Sequence, residues 1–183
     1  DPETTSPSVE MVWESEARDE SLNATAIGLM NDLIENVVQS VMSERFNDIT
    51  SKADAPYLYG SFGFGKLCEV IEGADGNVSL KEDNILGGFK AFVTELERMK
   101  RYGFTEGEVN RAKDNIIAYY EKAANQADTR KNSEFVNPLI NNFFSSYAIL
   151  EPATRLELVK AIFGQINAQV MNQVLTQAFA DQN

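Results

Sequence analysis

Histidine is absent from this sequence. Without imidazole, the Ser-His-Asp and Cys-His nucleophilic systems, the His-x-x-Glu-His and His-Glu-x-x-His zinc motifs and imidazole acid-base catalysis are all excluded. Cys68 is the sole cysteine, so the chain can build no intramolecular disulfide framework, zinc knuckle or dithiol redox motif. Basic residues are also scarce. Sixteen Lys and Arg against 28 Asp and Glu leave a net charge of −12, which repels a phosphate backbone and argues against nucleic acid as a partner. No run reaches the ~18 apolar residues of a membrane span. The opening Asp1-Pro2-Glu3-Thr4-Thr5-Ser6-Pro7 has neither the basic start nor the apolar stretch of a secretion signal, and it reads as a trimmed beginning.

What is present suits a folded domain. Over 183 residues the chain is 43% hydrophobic and 24% charged, with only five prolines, and one compact unit with a real core is expected. Ser8–Glu14 alternates, with Val9, Met11 and Trp13 on one face, and predicts a half-buried strand. From Ser21, read as an N-cap, to about Ile49 the stripe Leu22, Ala26, Leu29, Leu33, Val37 and Val41 predicts a long buried helix. Tyr57–Gly65, rich in aromatics and glycines after Pro56, reads as a second strand. Asp75-Gly76 reads as a turn or strand start, and Asn77–Lys81 as a third strand with Val78 and Leu80 inward.

The remainder has helical period. Asn84 can cap a helix with the face Ile85, Phe89, Phe92, Val93, Leu96 and Met99, ended by Gly103. Thr105 to Glu108 forms a capping box, with Phe104 and Val109 at the positions of a hydrophobic staple, so another helix starts here and runs through Tyr120 toward Ala127. Further helices are expected from about Phe135 to Tyr147, from Pro152 to near Gly164, and after Asn167. Strand, long helix, two strands and then helices predict an α+β fold of two layers, an antiparallel sheet with helices packed on one face. The expected organisation is a single module over 1–183, with a lead-in (1–7), a strand-helix-strand-strand part (8–83) and a helical part (84–183).

Few motifs suggest chemistry. Glu69 with Glu72, or Glu106 with Glu108, could in principle serve as acid and base, but such pairs read as solvated surface charge. Gly60–Lys66 matches the first seven positions of a phosphate-binding loop, yet Leu67 stands where a Ser or Thr must reach magnesium. Asp75-Gly76-Asn77 lacks the register of a calcium loop. The sequons at Asn23, placed on the long helix, and Asn77, placed on a strand, make poor acceptors. The pairs Tyr119-Tyr120 and Phe143-Phe144, at helical spacing, read as core.

Two stretches carry a family resemblance. Leu33–Val38 through Arg45–Ile49 and then Ala55–Gly60 resembles the second, non-catalytic module of the N-terminal half of pitrilysin/insulinase zinc metallopeptidases of the bacterial single-chain type. Leu96–Lys113, read as Leu-Glu-Arg-Met-Lys-Arg-Tyr-Gly-Phe-Thr-Glu-Gly-Glu-Val-Asn-Arg-Ala-Lys, resembles it more strongly. The likeness extends from Asp1 to about Val174. It implies a parent hydrolase that performs proteolysis with zinc held in a preceding module, while this chain holds no catalytic or metal residue. The module would form part of a substrate chamber wall and support the catalytic module. Its partners would be other modules of the same chain or a homologous subunit, with peptide or unfolded polypeptide as substrate, in the bacterial periplasm or cell envelope. The alternative is a scaffold or partner-binding subunit of the same fold without a working zinc site. Insulysin-like members anchor a peptide's free N-terminus as an added strand, and the resemblance implies Tyr59, Gly60 and Ser61 as that exosite.

Overall fold

A computed structural model describes residues 6–178. It is an α+β fold with one three-stranded antiparallel sheet, as the periodicities predict. The strands are β1 (Ser8–Glu16), β2 (Tyr59–Cys68) and β3 (Ile71–Ser79), in the order β1-β3-β2. The helices are α1 (Ala26–Thr50), α2 (Ile85–Tyr102), α3 (Glu106–Asn125), α4 (Val136–Ser145), α5 (Pro152–Phe163) and α6 (Ala168–Ala178). The chain divides into two compact units. One comprises the chain through Ala17, Val38–Thr105 and the chain from Ala168; the other comprises Arg18–Val37 and Glu106–Asn167.

In the first unit the sheet's inner face follows the alternation. Val9 pairs with Val78, Met11 with Gly76 and Trp13 with Ala74, and on the other side of β3 lie Gly60, Phe62 and Phe64. Trp13 and Phe62 lie 6.0 Å apart, and Phe62 and Phe64 meet edge to face at 5.5 Å. Two helical segments cover this row. Phe46 of α1 stacks on Phe92 of α2 at 5.1 Å, and Tyr57 meets Phe92 edge-on at 6.1 Å. Gly76 lets α2 approach: a Cβ there would stand 3.3 Å from the Phe92 ring and 3.5 Å from Leu96. The end of α2 is set by Gly103, which at φ 65° takes a conformation that favours glycine and sends its N–H to the Met99 carbonyl.

The second unit joins α3 to α5, where Val109, Ala112, Val159 and Phe163 are buried. Lys113 donates to the Ile166 carbonyl at 2.7 Å with its ammonium 5.9 Å from the Phe163 ring, and Lys160 pairs with Glu121 at 2.9 Å. Arg18 donates to Asp32 at 2.7 Å and to the Tyr147 hydroxyl at 3.2 Å. Burial, and next the Asp32 carboxylate, raise the Tyr147 hydroxyl pKa despite Arg18.

Four local expectations are corrected. The long helix does not begin at Ser21. Asp19 caps a short 3₁₀ turn, Glu20–Ala24, by accepting from the Ser21 N–H, and α1 starts only at Ala26, where the Thr25 hydroxyl accepts from the Gly28 N–H at 3.2 Å. Asn23 therefore lies in that turn rather than on the helix, and its amide donates to the Ser145 carbonyl at 2.8 Å. Asp75-Gly76 is not a turn: Asp75 pairs with Val12 and Gly63 in mid-strand, and the β2–β3 connection falls at Glu69-Val70. The strand runs through because Asp75 and Gly76 pair on both sides, with Val12 and Met11 of β1 and with Gly63 and Phe62 of β2, while the missing Gly76 side chain leaves room for α2. Finally, Tyr119, Phe143 and Phe144 are not core; they are 69%, 81% and 71% exposed. The adjacent rings meet edge to face, Tyr119 and Tyr120 at 5.4 Å and Phe143 and Phe144 at 4.9 Å.

Candidate functional site: the edge of β2

The residues expected to take a peptide, Tyr59, Gly60 and Ser61, open β2, and β2 is an edge strand that pairs with β3 alone in the described sheet. They lie opposite Ser79, Val78 and Asn77. Tyr59 is 56% exposed, Gly60 is buried and Ser61 is half-buried, so only Gly60 of the three faces the packed side. A sheet edge offers backbone donors and acceptors in a row and can pair with an extended chain. The glycine has a second physical reason on the inner face: a Cβ at Gly60 would lie 3.2 Å from the Phe46 ring and 3.3 Å from Tyr57.

In the same unit, α1 and α2 are also joined by charge. Glu95 of α2 is only 4% exposed and is held from two sides, by Arg45 at 3.3 Å and by Arg98 at 2.6 Å. Arg45 also donates to the Gly103 carbonyl at 3.0 Å and lies 5.1 Å from the centre of the Phe104 ring. One guanidinium thus fastens α1 to α2 and to the turn that ends it. Such a network forms where burial would otherwise leave a charge uncompensated. Tyr57, 1% exposed, has a hydroxyl with no hydrogen-bond partner among the described residues. Its burial first, and then the nearby Glu95 charge, push the phenol pKa up to about 12. The residue types of this network carried no motif in the sequence; only the fold brings Arg45, Glu95 and Gly103 together.

The rejected motifs fall where strand pairing, not ligand chemistry, explains them. Gly60–Lys66 lies along β2 rather than in a loop before a helix, and Asp75-Gly76-Asn77 lies within β3. The chain has no histidine, Cys68 is single and exposed, and among the described residues no three Cys, Asp or Glu side chains converge, so those residues offer zinc no ligand set. Among those residues no helix is long and apolar enough to cross a membrane.

No family model matches the sequence, and no curated protein matches it. The fold is shared with parts of several solved proteases. The chain superposes on the periplasmic protease PqqL from Escherichia coli with a TM-score of 0.84 and 16% identity, over 97% of this chain and 19% of that one. Against the first half of the same protease, solved separately, the TM-score is 0.84 and the identity 16%, over 99% of this chain and 38% of that one. A predicted insulinase family protease from Yersinia pestis gives a TM-score of 0.78 at 10% identity, over 98% and 38%. At these identities the likeness is one of fold, and the chain spans well under half the length of each relative.

Proposed function

We propose that this chain is a non-catalytic module of a zinc metalloendopeptidase of the insulinase/pitrilysin type. The reading is carried by one observation: almost the entire chain superposes on a fraction of a much longer protease. In this reading the module forms part of the wall of the substrate chamber and supports the catalytic module, which supplies zinc and the general base from outside this chain. The donor set here, which has no imidazole, is consistent with that division of labour. A substrate peptide, held extended, adds to the edge of β2 at Tyr59, Gly60 and Ser61. The edge position of β2 supports this, and the net charge of −12 favours a cationic peptide terminus nearby. A periplasmic site of action is supported by the compartment of the Escherichia coli protease.

The test is zinc content and cleavage of a quenched peptide library by the full-length parent beside this chain, each with and without a chelator. Chelator-sensitive cleavage by the parent and none by the chain is expected. A zinc-free, inactive parent would replace this reading with a scaffold subunit of the same fold. For the edge, peptides with free and acetylated N-termini are compared on the parent; a rise in KM on acetylation is expected, and equal KM values would rule out the exosite.

A further inference from the structure

The second unit carries a helix whose apolar face the described residues leave largely exposed. In α4, Val136, Leu139, Ile140, Phe143 and Phe144 recur at the helical spacing of a core face, yet they are 49%, 57%, 46%, 81% and 71% exposed. All of 131–144 is exposed; among the described elements α4 packs most extensively on the Asn132–Phe135 turn that leads into it, and its last residue, Ser145, accepts from the Asn23 amide. The helix itself is well made. Pro138 stands in the first turn, where a missing N–H costs nothing, and Ser146 closes the helix in the left-handed conformation with its N–H on the Asn141 carbonyl. The segment is also free of charge. From Phe135 through Leu150 there is no Asp, Glu, Lys or Arg, in a chain that is 24% charged. Apolar and aromatic side chains, depletion of charge and exposure together are the composition of an interface core.

We infer that α4 is a docking helix whose occupant is an apolar surface of another module of the same parent polypeptide. This rests on the reading of the chain as one module of a longer protease. Three observations select that occupant. The relatives that share the fold continue well beyond the matched region, so in them further chain is available to cover such a face. A second copy is disfavoured because two chains of net charge −12 repel. A bilayer surface is disfavoured because α4 carries no Lys or Arg to meet anionic headgroups.

The experiment uses the full-length parent, with a photo-activated benzoyl-phenylalanine at Phe143 and, as control, at Glu157, an exposed charged position on α5. Cross-links from position 143 to residues of the same polypeptide outside this module, and not from position 157, are expected. Phe143→Glu in the parent should raise hydrogen exchange along α4 by about tenfold, since an undocked ten-residue helix is stable only locally. Cross-links to a second copy, to lipid or only within the module, or no cross-links, would each overturn the inference, as would unchanged exchange. Chelator-sensitive cleavage is measured on the same unmodified parent. A cleaving parent with an uncovered α4 removes the docking helix alone; an inactive parent with α4 covered by another module removes the peptidase reading alone.

Discussion

Helices α2 and α4 present the same kind of apolar stripe and meet opposite fates. In α2, Phe92, Leu96 and Met99 are fully or almost fully buried against the sheet and α1, whereas α4 buries none of its residues. Periodicity states that a face is apolar, and it is silent on whether the surface that receives it lies within the same chain. The two helices differ in what surrounds the stripe. The α2 stripe is bordered by charges that solvate its far side, among them Lys90, Glu97, Arg98 and Arg101, while α4 has none. A helix that folds back on its own domain keeps a charged outer face; a helix without one leaves less of its surface committed to water.

The largest expected break of the comparison is at Phe92. Phe92→Ala removes a ring stacked on Phe46 and edged by Tyr57, and urea denaturation should show a loss of about 3–5 kcal/mol. Next comes Glu95→Ala, which takes the buried carboxylate partner from the Arg45 guanidinium and should cost about 3 kcal/mol. Arg98→Ala removes the exposed partner of the same carboxylate and should cost less than about 1 kcal/mol. Equal losses from the two would show that burial is not what separates them.

A pH titration sharpens the same contrast. Tyr57 has its phenol pKa raised from 10.0 to about 12 on folding. Below pH 10 both states are protonated and the stability is intact. Between pH 10 and 12 only the unfolded state loses the proton, so folding free energy should fall, by on the order of 2 kcal/mol. Tyr57→Phe should flatten that part of the profile, and a profile unchanged by the substitution would remove Tyr57 as the cause. The smallest effect is expected at Phe143→Ala, within about 0.5 kcal/mol for this chain alone, because its ring is 81% exposed. A loss as large as that of Phe92→Ala would mean that α4 is packed after all.

Much of this fold was legible. The alternation of Val9, Met11 and Trp13 placed β1 and its inward face, and Gly103 marked the end of α2, because these depend on local sterics and solvent contrast. The start of α1 was misplaced because Asp19 and Thr25 both offer capping oxygens within one stretch, and hydrogen bonding chooses between them. The length of β3 exceeds the expectation because Asp75-Gly76 has turn chemistry, and what keeps it extended is pairing with β1 and β2, whose partner residues lie elsewhere in the sequence. Of the candidate edge, the strand character of Tyr59–Ser61 was readable, but its place at the sheet's rim was not, since strand order depends on pairings between residues far apart in sequence.

By itself the sequence determined the absence of imidazole chemistry, the acidic surface, and which faces of the strands and helices are apolar, because all of these are properties of residue type and spacing. Tertiary structure alone decided that β3 lies between β1 and β2, that Glu95 is enclosed by Arg45 and Arg98, and that Phe143 and Phe144 stand in solvent. The physical reason is common to the three. Each is a question of which surface meets which, and whether the contact is strand pairing, an ion pair or apolar burial, its partners come from residues far apart in sequence that local periodicity does not bring together.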